Sequence, residues 1–116
     1  MAEKARELGR MLGQGEEYQA LDRARNRAME DRDLTAALNR LGELEQEIGT
    51  ALRAGNEPSA ELQQEYESLF SQLQGSAVYQ GLVAAQANFD KVLGRVNQQI
   101  SEGIESGSRS RIILPT

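Results

Sequence analysis

Carboxylates are the most plentiful reactive groups in this 116-residue sequence, and two pairs of them have a spacing that suits a metal ion. Glu43 and Glu47 lie one helical turn apart, and so do Glu61 and Glu65. Carboxylate oxygens are the ligands that hard cations prefer. Di-iron sites in helix bundles also use a Glu-x-x-His pair, and the sequence has no histidine. Acidic residues on a helix face are usually solvated, so we expect neither a metal nor another cofactor.

The other groups that usually carry out catalysis are missing or unsupported. The sequence has no cysteine, which excludes disulfides and thiol chemistry, and the absence of histidine removes the usual general base. Serines are abundant, but no base accompanies them to activate a hydroxyl. We therefore predict that the protein is not an enzyme.

Three arginines lie close together in the first third of the sequence. Arg23 and Arg27 share one face of a predicted helix, and Arg25 lies off that face. Intrahelical ion pairs, such as Arg27 with Asp31, explain this pattern at a few tenths of a kcal/mol each. Direct contact with RNA is the alternative. The net charge of −5 makes nucleic acid an unlikely partner.

The longest predicted element is a helix from Ser76 to Ile104. Apolar residues recur in it every three or four positions, which indicates one continuous helix face. Such a helix is roughly 43 Å long, whereas a compact chain of this size is roughly 35 Å across. We therefore expect a second chain to cover part of the face. The predicted dimer interface consists of Phe89, Val92, Leu93, Val96, Ile100 and Ile104.

The remaining sequence divides into shorter helices. They are predicted over residues 2–12, from about 16, over about 34–54 and over about 58–74. Asp31 or Asp33 is the expected N-cap of the third helix, Gly55 ends it, and Ser76 caps the last. The predicted fold is all-α, an antiparallel bundle of four to five helices with a long C-terminal helix, dimeric through that helix.

The composition changes near the C-terminal end. Residues 1–105 form the predicted helical bundle domain, and residues 106–116 form a flexible or docking tail that begins with Ser106-Gly107-Ser108. Apolar chain ends are often held by a binding partner. The possible docking residues are Ile112, Ile113, Leu114 and Pro115, and a disordered end is the alternative.

The sequence shows no sign of membrane insertion or export. No apolar run approaches 18 residues, and the N-terminal MAEKARELGR is too polar for a signal peptide. We expect a cytoplasmic protein without a membrane partner.

The order of these features resembles the YlbF/YmcA/YheA family of small helical bacterial proteins. The resemblance covers nearly the whole chain. The matching residues are Ala5, Leu8 and Gly9; Glu17 and Tyr18; Asp31 to Asp33; Gly55; Tyr79; Phe89, Leu93 and Val96; and Ile112 to Thr116. The most distinctive part is the tail, which is similar to a short Val-Pro-Thr segment after the last helix in that family.

The resemblance implies an all-α dimer with a regulatory role. YlbF and YmcA act with a third protein, YaaT, in an adaptor complex linked to competence, sporulation, biofilm control and mRNA maturation by RNase Y. The cysteines associated with iron–sulfur clusters in that complex have no counterpart here, so no cluster is expected.

Together these observations predict a non-enzymatic regulatory adaptor that acts through helix-mediated protein–protein interaction. Its expected partners are a second copy or a paralogue, and a regulatory protein. The alternatives are an RNA-associated binding protein and a self-associating structural scaffold. A carboxylate metalloenzyme using Glu43 is a third and weaker possibility.

Overall fold

The computed structural model describes residues 1–113, and it describes side chains for residues 1–109. Five helices account for nearly all of this part of the chain, and no strand occurs in it, which confirms the all-α prediction. The helices are α1 (Ala2–Gln14), α2 (Glu16–Glu30), α3 (Arg32–Arg53), α4 (Ala60–Gln74) and α5 (Ala77–Ile113).

The most extensive packing joins α2 to the first half of α5. The two helices run antiparallel, because Tyr18 meets Phe89 while Arg25, further along α2, donates a hydrogen bond to Gln86. The ring centroids of Tyr18 and Phe89 lie 5.2 Å apart in an edge-on arrangement, which suits the charge distribution of aromatic rings. Leu21 is completely buried in this part of the molecule.

The second packed unit is the antiparallel hairpin of α3 and α4. Gly55 makes the turn possible, because its φ of 79° lies in the left-handed region that side chains disfavour. The side chain of Leu44, in α3, is completely buried in the hairpin. The hairpin joins α2 and α5 through one small core. Its buried members are Ala28, Leu34, Ala37 and Leu73, with Leu38, Leu41, Leu69, Val78, Tyr79 and Leu82 packed around them.

Side-chain caps fix where three of the helices begin. The N–H of Leu34 donates to Asp31 Oδ1 at 3.0 Å, and the N–H of Tyr79 donates to Ser76 Oγ at 3.1 Å. These bonds confirm the predicted caps of α3 and α5. The predicted start of α4 at residue 58 is wrong, since Ser59 caps that helix and it begins at Ala60.

Helix α5 extends to Ile113, beyond its predicted end at Ile104, and the predicted joint at residues 106–108 is helical. Each glycine in a helix interior costs about 1 kcal/mol relative to alanine. An ion pair of 2.5 Å between Glu105 and Arg109, one turn apart, spans Gly107 and offsets part of that cost. The docking role of the tail stays a prediction. Ile112 and Ile113 contribute only backbone to the described part, and Leu114 and Pro115 lie outside it.

The molecule is strongly elongated. The radius of gyration is 21.5 Å, whereas a compact chain of this length has a value of about 13 Å. The principal extents are 71 × 38 × 21 Å. Helix α5 alone has 37 residues, so it is roughly 55 Å long. The prediction of a helix longer than a compact body is therefore confirmed.

Candidate interaction surface

The predicted interface residues of α5 divide into two groups. Four of them are half-buried by the chain's own packing, namely Phe89, Val92, Leu93 and Val96. The other two are largely exposed, with relative exposures of 47% for Ile100 and 69% for Ile104. The apolar face is therefore continuous along α5, but the chain covers only its first part.

The distal half of α5, defined here as residues 97–113, has little support from the rest of the molecule. Every residue from 97 to 109 is exposed, around the whole circumference of the helix. Helix α2 cannot reach this segment, because it already begins opposite Phe89. The apolar face of the distal half is thus a surface available to a partner.

A shallow groove between α2 and α5 is a second candidate surface. It has a volume of about 560 Å³, and Arg23, Arg27 and Asn88 lie along it with several small residues. The small residues of the groove are Ala20, Ala24, Ala77, Gly81, Ala84 and Ala85, with Val78 beside them.

The two groove arginines make no ion pair among the described side chains. The predicted pair of Arg27 with Asp31 is wrong, because the Asp31 carboxylate accepts the backbone N–H of Leu34 instead. A helix N-terminus carries partial positive charge, which stabilises a carboxylate there. The cap therefore competes successfully with the arginine one turn away.

The glutamates first considered as metal ligands surround Arg40. Its Nε and Nη2 donate to the two carboxylate oxygens of Glu65 at 2.6 and 3.0 Å, which is a bidentate arrangement. Its Nη1 donates to Glu43 at 2.9 Å and lies 3.9 Å from Glu47. The hydrogen bond from Arg40 lowers the pKa of Glu65, and the hydrogen bonds to Glu65 and Glu43 raise the pKa of Arg40.

This cluster ties α3 to α4 through the bond between Arg40 and Glu65. No group of three or more possible metal-ligating side chains is found within the described residues. Glu61, the fourth predicted ligand, makes no ion pair in that part of the chain. The arginine could have been found from the sequence, because Arg40 precedes Glu43 and Glu47 by three and seven residues and so shares their face.

None of the five helices, within the described residues, is long and apolar enough to cross a membrane.

Comparisons with known proteins agree with this architecture. The model of the family described as "Control of competence regulator ComK, YlbF/YmcA" matches residues 1–105. The chain belongs to this family. The match confirms the resemblance given above and covers α1 to α4 and most of α5. A search of curated proteins finds no match.

A solved structure has a similar fold. The chain is similar to a chain in the X-ray crystal structure of Bacillus subtilis RicA in complex with RicF. The TM-score is 0.79 over 92% of this chain and 95% of that chain, at 16% sequence identity. At this identity the similarity establishes the arrangement of the helices.

Proposed function

We propose that this YlbF/YmcA-family protein is a non-enzymatic regulatory adaptor that acts through helix-mediated protein–protein interaction. In this proposal the apolar face of α5, from Phe89 to Ile104, pairs with a second copy or with a paralogue. The family model is described by its control of a competence regulator, which supports a regulatory role. The similar solved chain comes from a complex of two proteins, which supports a protein partner.

The observation that carries the proposal is the uncovered distal half of α5. Most helical stability in proteins comes from packing an apolar face against a neighbour. Ile100 and Ile104 lie on such a face, but the described part of the chain leaves both largely exposed. A partner that covers them would remove apolar area from water, at roughly 25 cal/mol per Å².

Light scattering at micromolar concentration tests the pairing. The full chain is expected at twice its mass of 12.8 kDa, and the double substitution Ile100→Asp with Ile104→Asp is expected at the single mass. Val83→Asp is the matched control, because Val83 is an apolar residue of α5 that is already 45% exposed and lies off the apolar face. A full chain that stays monomeric, alone and when mixed with a second family member from the same genome, would contradict the proposal.

The regulatory process is the finer part of the proposal. The family resemblance implies RNase Y-dependent mRNA maturation or developmental regulation, and we propose one of these for this chain. A strain without the gene is expected to accumulate unprocessed transcripts of RNase Y operons. The wild-type gene should restore processing, while the gene with both aspartate substitutions should not. Normal processing in the deletion strain would exclude the RNase Y link.

Direct RNA binding is a second candidate function, favoured by Arg23 and Arg27, which line the groove and make no ion pair among the described side chains. Each phosphate contact contributes about one unit to the salt dependence of binding, so two arginines provide little affinity on their own. Filter binding with a single-stranded RNA at low salt tests it. If the double substitution Arg23→Gln with Arg27→Gln abolishes retention of the RNA, direct contact at the groove is supported. If retention is unchanged, any RNA binding takes place at another surface.

A further inference from the structure

The first helix has an apolar face that its own chain does not bury. Ala5, Leu8 and Leu12 lie on one side of α1, and Met1 continues that side. None of the residues of α1 is buried, and only Leu8, Leu12 and Gly13 are half-buried. A helix of 13 residues is too short to be stable alone, so α1 needs more packing than the described chain provides.

Helix α1 and the distal half of α5 leave the body at the same end. The connection from α1 to α2 is the single residue Gly15, and the start of α2 meets α5 where Tyr18 contacts Phe89. The distal half of α5 begins two turns beyond that contact. Packing of α1 is nevertheless mainly against α2, and α1 makes no extensive contact with α5. Leu8 and Leu12 are thus half-covered, mainly from the side of α2, while Ala5 and the distal face of α5 remain exposed.

The chain exposes more surface than a compact monomer of its size, by more than the area that an obligate dimer buries per partner. The chain exposes 9161 Å², whereas a compact monomer of 12.8 kDa exposes about 6,300 Å². The excess is about 2,900 Å², while an obligate dimer buries about 1,000–2,500 Å² per partner. Burial of one apolar ridge on α5 accounts for only a part of such an area, which leaves room for a second helix in the interface.

We propose that α1 is the other half of the interface, and that the occupant of the open space is a second copy of this chain. Two α1 helices and two distal α5 halves then form a four-helix unit around a two-fold axis, in which α1 of one copy packs on α5 of the other. This inference rests on the dimer proposed above.

The charges of the two segments do not oppose this arrangement. Helix α1 carries three basic and two acidic residues, and residues 97–113 of α5 carry two of each sign. Neither segment therefore has a net charge above one, and like-charge repulsion between two copies is weak.

Two glycines give the partner helix room to approach. A Cβ placed on Gly103 or Gly107 would meet no other atom of the described chain within 4 Å. The same is true of Gly42, Gly81 and Gly94 in other helix interiors, so the two glycines permit a close approach of a partner without requiring one. Small residues allow the backbones of two packed helices to come close. In the four-helix unit, the bulky face of α1 with Leu8 and Leu12 supplies the matching surface.

Cross-linking of the naturally cysteine-free chain tests the arrangement. One chain, carrying a tag, has Leu8→Cys or Leu12→Cys, and an untagged chain has Ile100→Cys or Ile104→Cys. After the two are mixed and a short thiol-specific cross-linker is added, at least one α1–α5 combination is expected to give a product of tagged plus untagged mass. Glu61→Cys on the exposed side of the hairpin is the matched control, and it should give none with either α1 position.

A second measurement covers the case in which cysteines disturb the interface. The substitution Leu8→Asp with Leu12→Asp is expected to raise the dimer Kd at least tenfold, while Arg10→Asp on the opposite side of α1 leaves it within a factor of about three. A dimer that forms normally but shows neither the cross-link nor the change in Kd would overturn the role of α1 and leave the α5 dimer standing. A chain that is monomeric throughout would overturn both.

Discussion

The α3–α4 hairpin and the distal half of α5 are both extended helical segments, but only the hairpin completes its own packing. Leu44 is fully buried in the hairpin, and Arg40 of α3 pairs with Glu65 across it as well as with Glu43 and Glu47 on its own helix. In the distal half of α5, the described side chains are all exposed, and the single ion pair there lies within the helix itself.

The difference shows that apolar periodicity alone does not decide where an apolar face is buried. Helices α3 and α5 have similar stripes with spacings of three and four residues. For α3 the short turn at Gly55 brings α4 back along its length. For α5, the described part of the chain offers no helix that follows it beyond Val96 as closely as α2 does before it. The distal stripe is therefore the one for which we propose a second molecule, whereas the hairpin stripe is covered by its own chain.

The largest effect expected from the comparison is at the core of the hairpin. Leu44→Ala should reduce the free energy of unfolding by about 2–5 kcal/mol, because it removes a completely buried side chain and leaves a cavity. Urea denaturation followed by circular dichroism measures the change.

The matched substitution at the other segment is Ile104→Ala. It removes a similar volume from a side chain that is 69% exposed, so the monomer should lose less than about 0.5 kcal/mol. Its effect should appear instead as weaker dimerisation. Equal losses of monomer stability at the two positions would show that the distal half of α5 is packed within its own chain.

The sequence was sufficient for the elements whose signals are local. Asp31 and Ser76 each precede an apolar run and cap the helix that follows, and Gly55 ends a helix in the left-handed conformation. The end of α5 could not be read in this way. Ser106, Gly107 and Ser108 have turn chemistry, but the helix continues through them, because nothing of the described chain packs against them to favour a turn.

The candidate surface was only partly predictable for a similar reason. The stripe from Phe89 to Ile104 is visible in the sequence, but its division at Val96 depends on where α2 begins. The groove of Arg23 and Arg27 combines residues from α2 and α5 that lie more than 50 positions apart, so no local pattern announces it. The Arg40 cluster was visible in part, although its contact with Glu65 depends on the hairpin register.

Hydrogen exchange should also distinguish the hairpin from the distal half of α5, because the amide exchange rate of only one of them should depend on protein concentration. We expect that rate to change at least tenfold. Amides of α3 around Leu44 should exchange slowly at every protein concentration, because the core protects them. Amides of residues 97–109 should be protected in the dimer and should exchange at least tenfold faster when the protein is diluted below the dimer Kd. Exchange in the distal half that is slow and independent of concentration would contradict the need for a partner.

Glycine-to-alanine substitutions should give a smaller and opposite pair of effects. Gly42 in α3 and Gly103 in α5 both lie in helix interiors where an added Cβ meets nothing within 4 Å. Gly42→Ala should therefore stabilise the protein by about 0.5–1 kcal/mol, through better helix propensity. Gly103→Ala should stabilise the monomer similarly, but weaken the dimer if a partner helix approaches closely there. Denaturation and dimer Kd, measured on both variants, distinguish the two positions, and an unchanged Kd for Gly103→Ala would indicate that no helix packs against Gly103.

The smallest expected effect is the pH dependence of the Arg40 cluster. The pKa of Glu65 is lowered in the folded chain by the hydrogen bond from Arg40, relative to an ordinary value of 4.5. Its contribution to stability is therefore fully present above pH 4.5 and is lost as the pH falls through the lowered value. Glu65→Gln should lower the urea midpoint slightly at about pH 7 and much less at a pH below the lowered pKa, where the wild-type carboxylate is protonated. Because the pair is largely exposed, the difference should be small and should shrink further in high salt.

Glu61→Gln, outside the cluster, should show no such difference between the two pH values. A Glu65→Gln midpoint that shifts equally at both would mean that the hairpin is held by Leu44 and its neighbours alone, and the contrast with α5 would then be one of apolar packing only.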